Sequence, residues 1–217
     1  MIKTLYLMSD PETLFDLTFK LQGWSDMPLT DDGTYQAERV GRYFLSRLDR
    51  RPDTLVASTS ERASDALEIS WRAAYGETPL YERSRDLKGL NYGSYEGQDL
   101  FLAPDLPFED FFVRFGGESE EDVKNRLRRE LTEILLRPST TVAFVASHAD
   151  ACALFRTLWD GAQDEALFVP ADGSLARILG DGYRNCQVFA YTFDTDTQMF
   201  SFQGIVWNGY SGTLAKD

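Results

Sequence analysis

Short apolar runs alternate with longer segments of helical periodicity along most of this chain, and that alternation restricts the folds open to it. Thr4 to Met8 is a compact apolar run closed by the turn signal Ser9-Asp10-Pro11, the pattern of a buried strand. Thr30-Asp31-Asp32-Gly33 reads as a helix entrance, after which Ala37, Val40, Gly41, Phe44, Leu45 and Leu48 recur at three- and four-residue spacing as one apolar face. Pro52-Asp53 breaks that helix. Thr54 to Ser58 is a second buried strand, and Glu61 to Tyr75 a second helix with Ala63, Ala66, Leu67 and Trp71 inward.

Residues 76 to 118 are dense in glycine, proline and aromatics. An excursion of that length marks a lid or binding loop, and 98–117 is read as a lid or insertion loop. Ser119 opens a helix whose first turn carries Glu120, Glu121 and Asp122, charges that complement its dipole. Val123, Leu127, Leu131, Ile134 and Leu135 are its buried side. Thr141 to Ala146 is a third strand and Ala151 to Trp159 a helix. Ser174 to Leu179 and Gln187 to Phe193 read as strands. A hairpin turn at Phe193 to Gln198 then leads to a return strand, Met199 to Trp207. This order predicts an α/β three-layer sandwich: a mainly parallel sheet with helices on both faces and an antiparallel edge. With 217 residues and a mass of 24.6 kDa, one domain over 1–217 is expected. Ligands of such sheets bind beyond the carboxyl ends of the strands. Ser9-Asp10, Ser58-Thr59-Ser60 and Ser147-His148 are therefore the places to inspect.

Composition excludes several functions. There are 22 basic and 35 acidic residues, a net charge of −13, so long-range repulsion opposes binding to nucleic acid or to an anionic membrane. One histidine, His148, rules out any mechanism that needs two. Cys152 and Cys186 form neither a disulfide framework nor a C-x-x-C zinc motif, and they fit a reducing cytosol as buried small residues. The N-terminal apolar stretch is too short for a signal peptide, and no run approaches the ~20 apolar residues of a membrane span. A cytoplasmic protein that binds no membrane and needs no cofactor is expected. A homodimer is compatible with the sequence.

Five motifs then occur in order. Gln22-Gly-Trp-Ser-Asp-Met-Pro-Leu-Thr-Asp-Asp-Gly33 with Gln36-Ala37 is followed by Ser58-Thr-Ser-Glu-Arg-Ala63 after the second strand. Tyr92-Gly-Ser-Tyr-Glu-Gly97, Gly116-Gly-Glu-Ser-Glu-Glu-Asp-Val123 and Val145-Ala-Ser-His148 come next, with Asn185-Cys186 before the last hairpin. From residue 2 to about 206 the chain resembles the histidine phosphatase superfamily, in its phosphoglycerate mutase-like branch. The resemblance implies that fold, and phosphoryl transfer through a phosphohistidine. In the family the nucleophile lies in an Arg-His-Gly triplet ending the first strand. A second Arg and a second His, helped by an Asn, clamp the phosphate, and a Glu protonates the leaving oxygen.

The catalytic positions are degenerate. By the resemblance, the nucleophile position holds Asp10, the first Arg position Ser9, the helper Asn position Asp16 and the acid position Gly89, within Leu87-Lys-Gly-Leu-Asn-Tyr-Gly93. Arg62 and His148 remain. A phosphate about 4 Å from one carboxylate meets roughly 4 kcal/mol of repulsion per unit charge pair at an effective dielectric near 20. Two carboxylates facing two cations leave no net attraction for a dianion. The reading is a catalytically inactive pseudoenzyme whose pocket remnant is Arg62, His148, Ser9, Asp16 and Gly89, and which binds a small molecule or a protein partner. Asp10 is expected to fill its own pocket, taking a bidentate pair from Arg62 and a bond from His148, with the His148 pKa raised. The alternative is a phosphomonoester hydrolase with Asp10 as nucleophile and His148 and Arg62 assisting, possible only with compensation such as a bound divalent cation. Asp10, Asp16, Asp150 and His148 also suit a metal chemically, but their spacing is no known metal signature, and no metal site is expected.

Overall fold

The structure, a computed structural model, describes residues 1–103, 108–159 and 185–209. Six strands form one sheet: β1 (Ile2–Met8), β2 (Thr54–Ser58), β3 (Glu82–Ser84), β4 (Val142–Ala146), β5 (Gln187–Asp194) and β6 (Met199–Asn208). Their order is β3-β2-β4-β1-β5-β6. The first four neighbours run parallel, while β5 and β6 are antiparallel additions beside β1. Among the described residues five α-helices accompany the sheet: α1 (Leu14–Leu17), α2 (Asp31–Tyr43), α3 (Glu61–Tyr75), α4 (Glu120–Leu136) and α5 (Ala149–Thr157).

Side-chain alternation on the strands builds two cores. Leu5, Leu7, Val56 and Val145 pack with Val123, Leu127 and Leu131 of α4 and Phe155 of α5. Met8, Leu55, Ala57 and Ala146 pack with Val40 of α2 and with Ala66, Leu67 and Trp71 of α3 on the other face. The expected three-layer α/β sandwich is therefore present. Each fully buried Leu, Val or Phe contributes about 1.5–3 kcal/mol through water exclusion. The helix ends are set locally. Ser119 and Asp122 exchange side-chain and backbone bonds as a capping box on α4, and Gly76 closes α3 with a left-handed φ of +74°.

Several boundaries differ from the sequence expectation. The apolar face through Leu48 is not one helix: α2 ends at Tyr43, and a 3-10 turn over Leu45–Arg47 follows. The tighter winding brings the adjacent Phe44 and Leu45 both into the core. α5 starts at Ala149 rather than Ala151. β3 carries no apolar pattern that would have announced it, and the four residues of α1 are too few to show a helical one. β3 is the largely exposed edge segment Glu-Arg-Ser, and α1 buries none of its residues. The strand expected over 174–179 lies outside the described residues. Within 98–117, short 3-10 turns form at Leu100–Leu102 and Phe111–Phe115, and residues 104–107 lie outside the described residues. Phe108 and Phe112 are buried there, edge to face with Tyr92. Among the described residues no helix is long and apolar enough to cross a membrane.

Sheet register places the site. Met8 pairs with Ala146, and Ala146 with Ala57, so Asp10, His148 and Ser58 leave three adjacent parallel strands at their carboxyl ends.

Candidate functional site

Asp10 is the centre of the cluster. Its Oδ2 accepts from Arg62 Nε at 2.7 Å and lies 2.9 Å from His148 Nδ1, and its Oδ1 accepts from the Ala149 N–H at 3.0 Å. Arg62 comes from the first turn of α3 and is 3% exposed. The rest of its guanidinium is tied to the chain. Nη1 donates to Ser25 O at 2.9 Å and lies 3.3 Å from Asp26 Oδ1, and Nη2 donates to Gly23 O at 2.9 Å. The expected bidentate pair is thus corrected to a single Nε contact, because the carbonyls of Gly23 and Ser25 take the two Nη groups.

His148 Nε2 stands 2.9 Å from Ser58 Oγ, which itself accepts from the Ser60 N–H. A neutral imidazole satisfies all of this: Nδ1–H donates to Asp10, and Nε2 accepts the Ser58 hydroxyl. Burial, joined by the neighbouring Arg62 charge, pushes the His148 pKa below its ordinary value, although Asp10 pulls the other way. The expectation of a raised pKa is therefore overturned. Burial pushes the Asp10 carboxyl up, but His148 and Arg62 outweigh it and hold it well below the usual carboxylate range. Asp10, His148 and Ser58 have the connectivity of an acid–base–nucleophile relay. Ser58, however, is 0% exposed and is not on the cavity wall, so the relay serves structure.

The cavity beside this cluster is small, about 70 Å³, and open to solvent. Its wall includes Asp10, Asp16, Asp150, Lys20, Arg62 and His148. Asp16 Oδ2 accepts from the Thr13 N–H and hydroxyl at 2.6 and 2.8 Å. Burial and the Asp10 charge push its carboxyl up to about 6, against those bonds. Lys20 is engaged by Asp99 at 3.1 Å and by Gly97 O. Among the described residues no group of three His, Cys, Asp or Glu side chains is placed to hold a metal ion.

Two expected pocket residues stand apart from the wall. Ser9 is wholly buried, and its Oγ accepts from the Gln187 N–H at 2.9 Å, so it faces the start of β5. Gly89 contributes no wall, and Asp150 fills the space before it.

Other residues hold the site from outside the sequence motifs or without an assigned role. Asp26 accepts from the Glu61 N–H at the N-terminus of α3. Glu96 fixes the Trp24 and Ser25 N–H groups at 2.8 Å each. Arg126 of α4, 7% exposed, binds the carbonyl of Gly89 at 2.7 Å and both oxygens of Glu118 at 3.0 Å. Asp26 and Glu96 lie within two of the motifs, but nothing in the local sequence singles out Arg126.

Comparisons with known proteins bear on the family and the fold. The family model of the histidine phosphatase superfamily (branch 1) matches residues 5–186. The chain belongs to that superfamily. A Bacillus subtilis (strain 168) protein named uncharacterized phosphatase PhoE is 30% identical over 162 residues, covering 71% of this chain and 77% of its own. Phosphoglycerate mutase from Bacillus anthracis str. Sterne superposes with a TM-score of 0.74 at 16% identity, over 94% of this chain and 92% of that one. Bacillus stearothermophilus YhfR gives 0.69 at 22% identity, over 97% and 98%. At those identities the structures show the shared fold.

Proposed function

We propose that this superfamily member does not transfer phosphoryl groups and acts by binding a small molecule or a protein partner at its strand-end cavity. One observation carries the reading: the Asp10 carboxylate already holds Arg62 Nε, His148 Nδ1 and the Ala149 N–H. Those are donors of the kind that would grip a phosphoryl group. An anion fixed by three donors is a weak nucleophile, and it repels an incoming dianion by about 4 kcal/mol per unit charge pair at 4 Å and an effective dielectric near 20. The neutral imidazole adds no cation to offset this.

The test is turnover of p-nitrophenyl phosphate by the purified chain, with and without Mg²⁺, beside Asp10→Asn. No turnover above the Asp10→Asn background is expected. Cleavage that disappears in Asp10→Asn establishes instead the hydrolase with Asp10 as nucleophile.

A further inference from the structure

Gly89 and Asp150 compete for one space. A Cβ placed on Gly89 falls 2.8 Å from Oδ1 and 3.1 Å from Oδ2 of Asp150, and 3.2 Å from the His148 Cβ. Gly89 is not among the residues of positive φ, so the backbone conformation does not explain the glycine. The Asp150 carboxylate does. It is held there by the Leu90 N–H at 2.9 Å, the Tyr92 hydroxyl at 3.1 Å and the Ala151 N–H at 2.6 Å. Three donors from two segments thus fix a carboxylate on the cavity wall, in the space a side chain at 89 would take.

We propose that Asp150 has taken the seat of a side chain at 89 and is a specificity-determining residue of the cavity, turning away phosphate-type anions and favouring ligands that donate hydrogen bonds. The proposal rests on the non-catalytic reading of the same site and deepens it. Asp10 blocks the centre, and Asp150 sets the charge of the side wall. The Asp150 charge also acts on Arg62 and His148, the two groups that would otherwise attract an oxyanion. A glycine at 89 and an acid at 150 are then a single exchange, and a side chain placed at 89 has no room until Asp150 is removed.

Two measurements test this. In a stability cycle by urea unfolding, Gly89→Ala is expected to lower the midpoint in the wild type, and to cost no more than about a third as much in Asp150→Ala, because contacting residues couple. Equal cost in both backgrounds overturns the exchange. In the Asp10→Ala background, which frees Arg62, titration with orthovanadate reads the charge. Asp150→Asn, which keeps the shape, is expected to tighten binding about fivefold or more. Unchanged affinity, or no binding in either protein, overturns the role in specificity. Aryl phosphate cleavage by the wild type would defeat the non-catalytic reading while leaving the stability cycle to decide the exchange, so the two failures are distinguishable.

Discussion

Nε of Arg62 and Oδ2 of Asp10 lie 2.7 Å apart, with the two side chains 3% and 14% exposed. A buried pair of this kind is held by its partners as much as by its own attraction. Removing one member strands the other charge away from water.

Arg62→Met is therefore expected to cost about 3–5 kcal/mol of unfolding free energy, the usual penalty for breaking a buried pair from one side. Asp10→Asn keeps an acceptor and is expected to cost less, about 1–3 kcal/mol. Urea unfolding of the two variants checks the order. An Arg62→Met loss below that of Asp10→Asn would show that His148 and the Ala149 N–H, rather than Arg62, hold the carboxylate.

Asp16 works against the fold at neutral pH, because burial and Asp10 push its carboxyl up to about 6. Asp16→Asn keeps the acceptor for Thr13 and removes the charge. It is expected to stabilise the protein by up to about 2 kcal/mol at pH 8, since each tenfold change in proton affinity corresponds to about 1.4 kcal/mol. The gain should shrink as the pH falls through 6, where the wild-type carboxyl takes up its proton. Unfolding at pH 8 and pH 5 reads both values.

His148 carries the opposite pH signature. Its folded pKa lies below the ordinary value of about 6.5. As pH falls, the unfolded chain binds this proton first, so stability is full above about 6.5 and declines below it. Asp10, depressed when folded, adds its share above the unfolded carboxylate value of about 3.9 and loses it only as the pH falls further, through its folded value. In the Asp16→Asn background, stability is expected to drop between pH 7 and 5.5, and His148→Gln should flatten that slope.

Arg126 ties α4 to the carbonyls of Asp86 and Gly89. Arg126→Met is expected to cost about 3 kcal/mol through the stranded Glu118 carboxylate. It should also speed amide exchange over residues 88–91. Unchanged exchange there would show that Asp150 and Glu118 hold that segment without Arg126.

Much of this was readable before any coordinates, for identifiable reasons. α3 is bounded by Glu61 and by Gly76, local signals that tertiary packing did not override. Asp10, Arg62 and His148 meet because each follows or begins an element at the carboxyl end of a parallel sheet, a position that strand order alone specifies. The edge segment Glu82–Ser84 has no apolar pattern, so pairing with β2 alone makes it a strand. The use of one guanidinium nitrogen rather than two depends on where the carbonyls of Gly23 and Ser25 fall. The lowering of the His148 pKa depends on burial and on Arg62 standing beside it. The Gly89–Asp150 exchange joins distant parts of the chain and is visible only as a clash.

Calorimetric titration of the wild-type chain with orthovanadate most directly tests whether the carboxylate of Asp10 has closed this site to phosphoryl groups. No saturable heat is expected at millimolar vanadate, with Asp10→Ala gaining a measurable isotherm. Tight binding by the wild type, undiminished relative to Asp10→Ala, would contradict it.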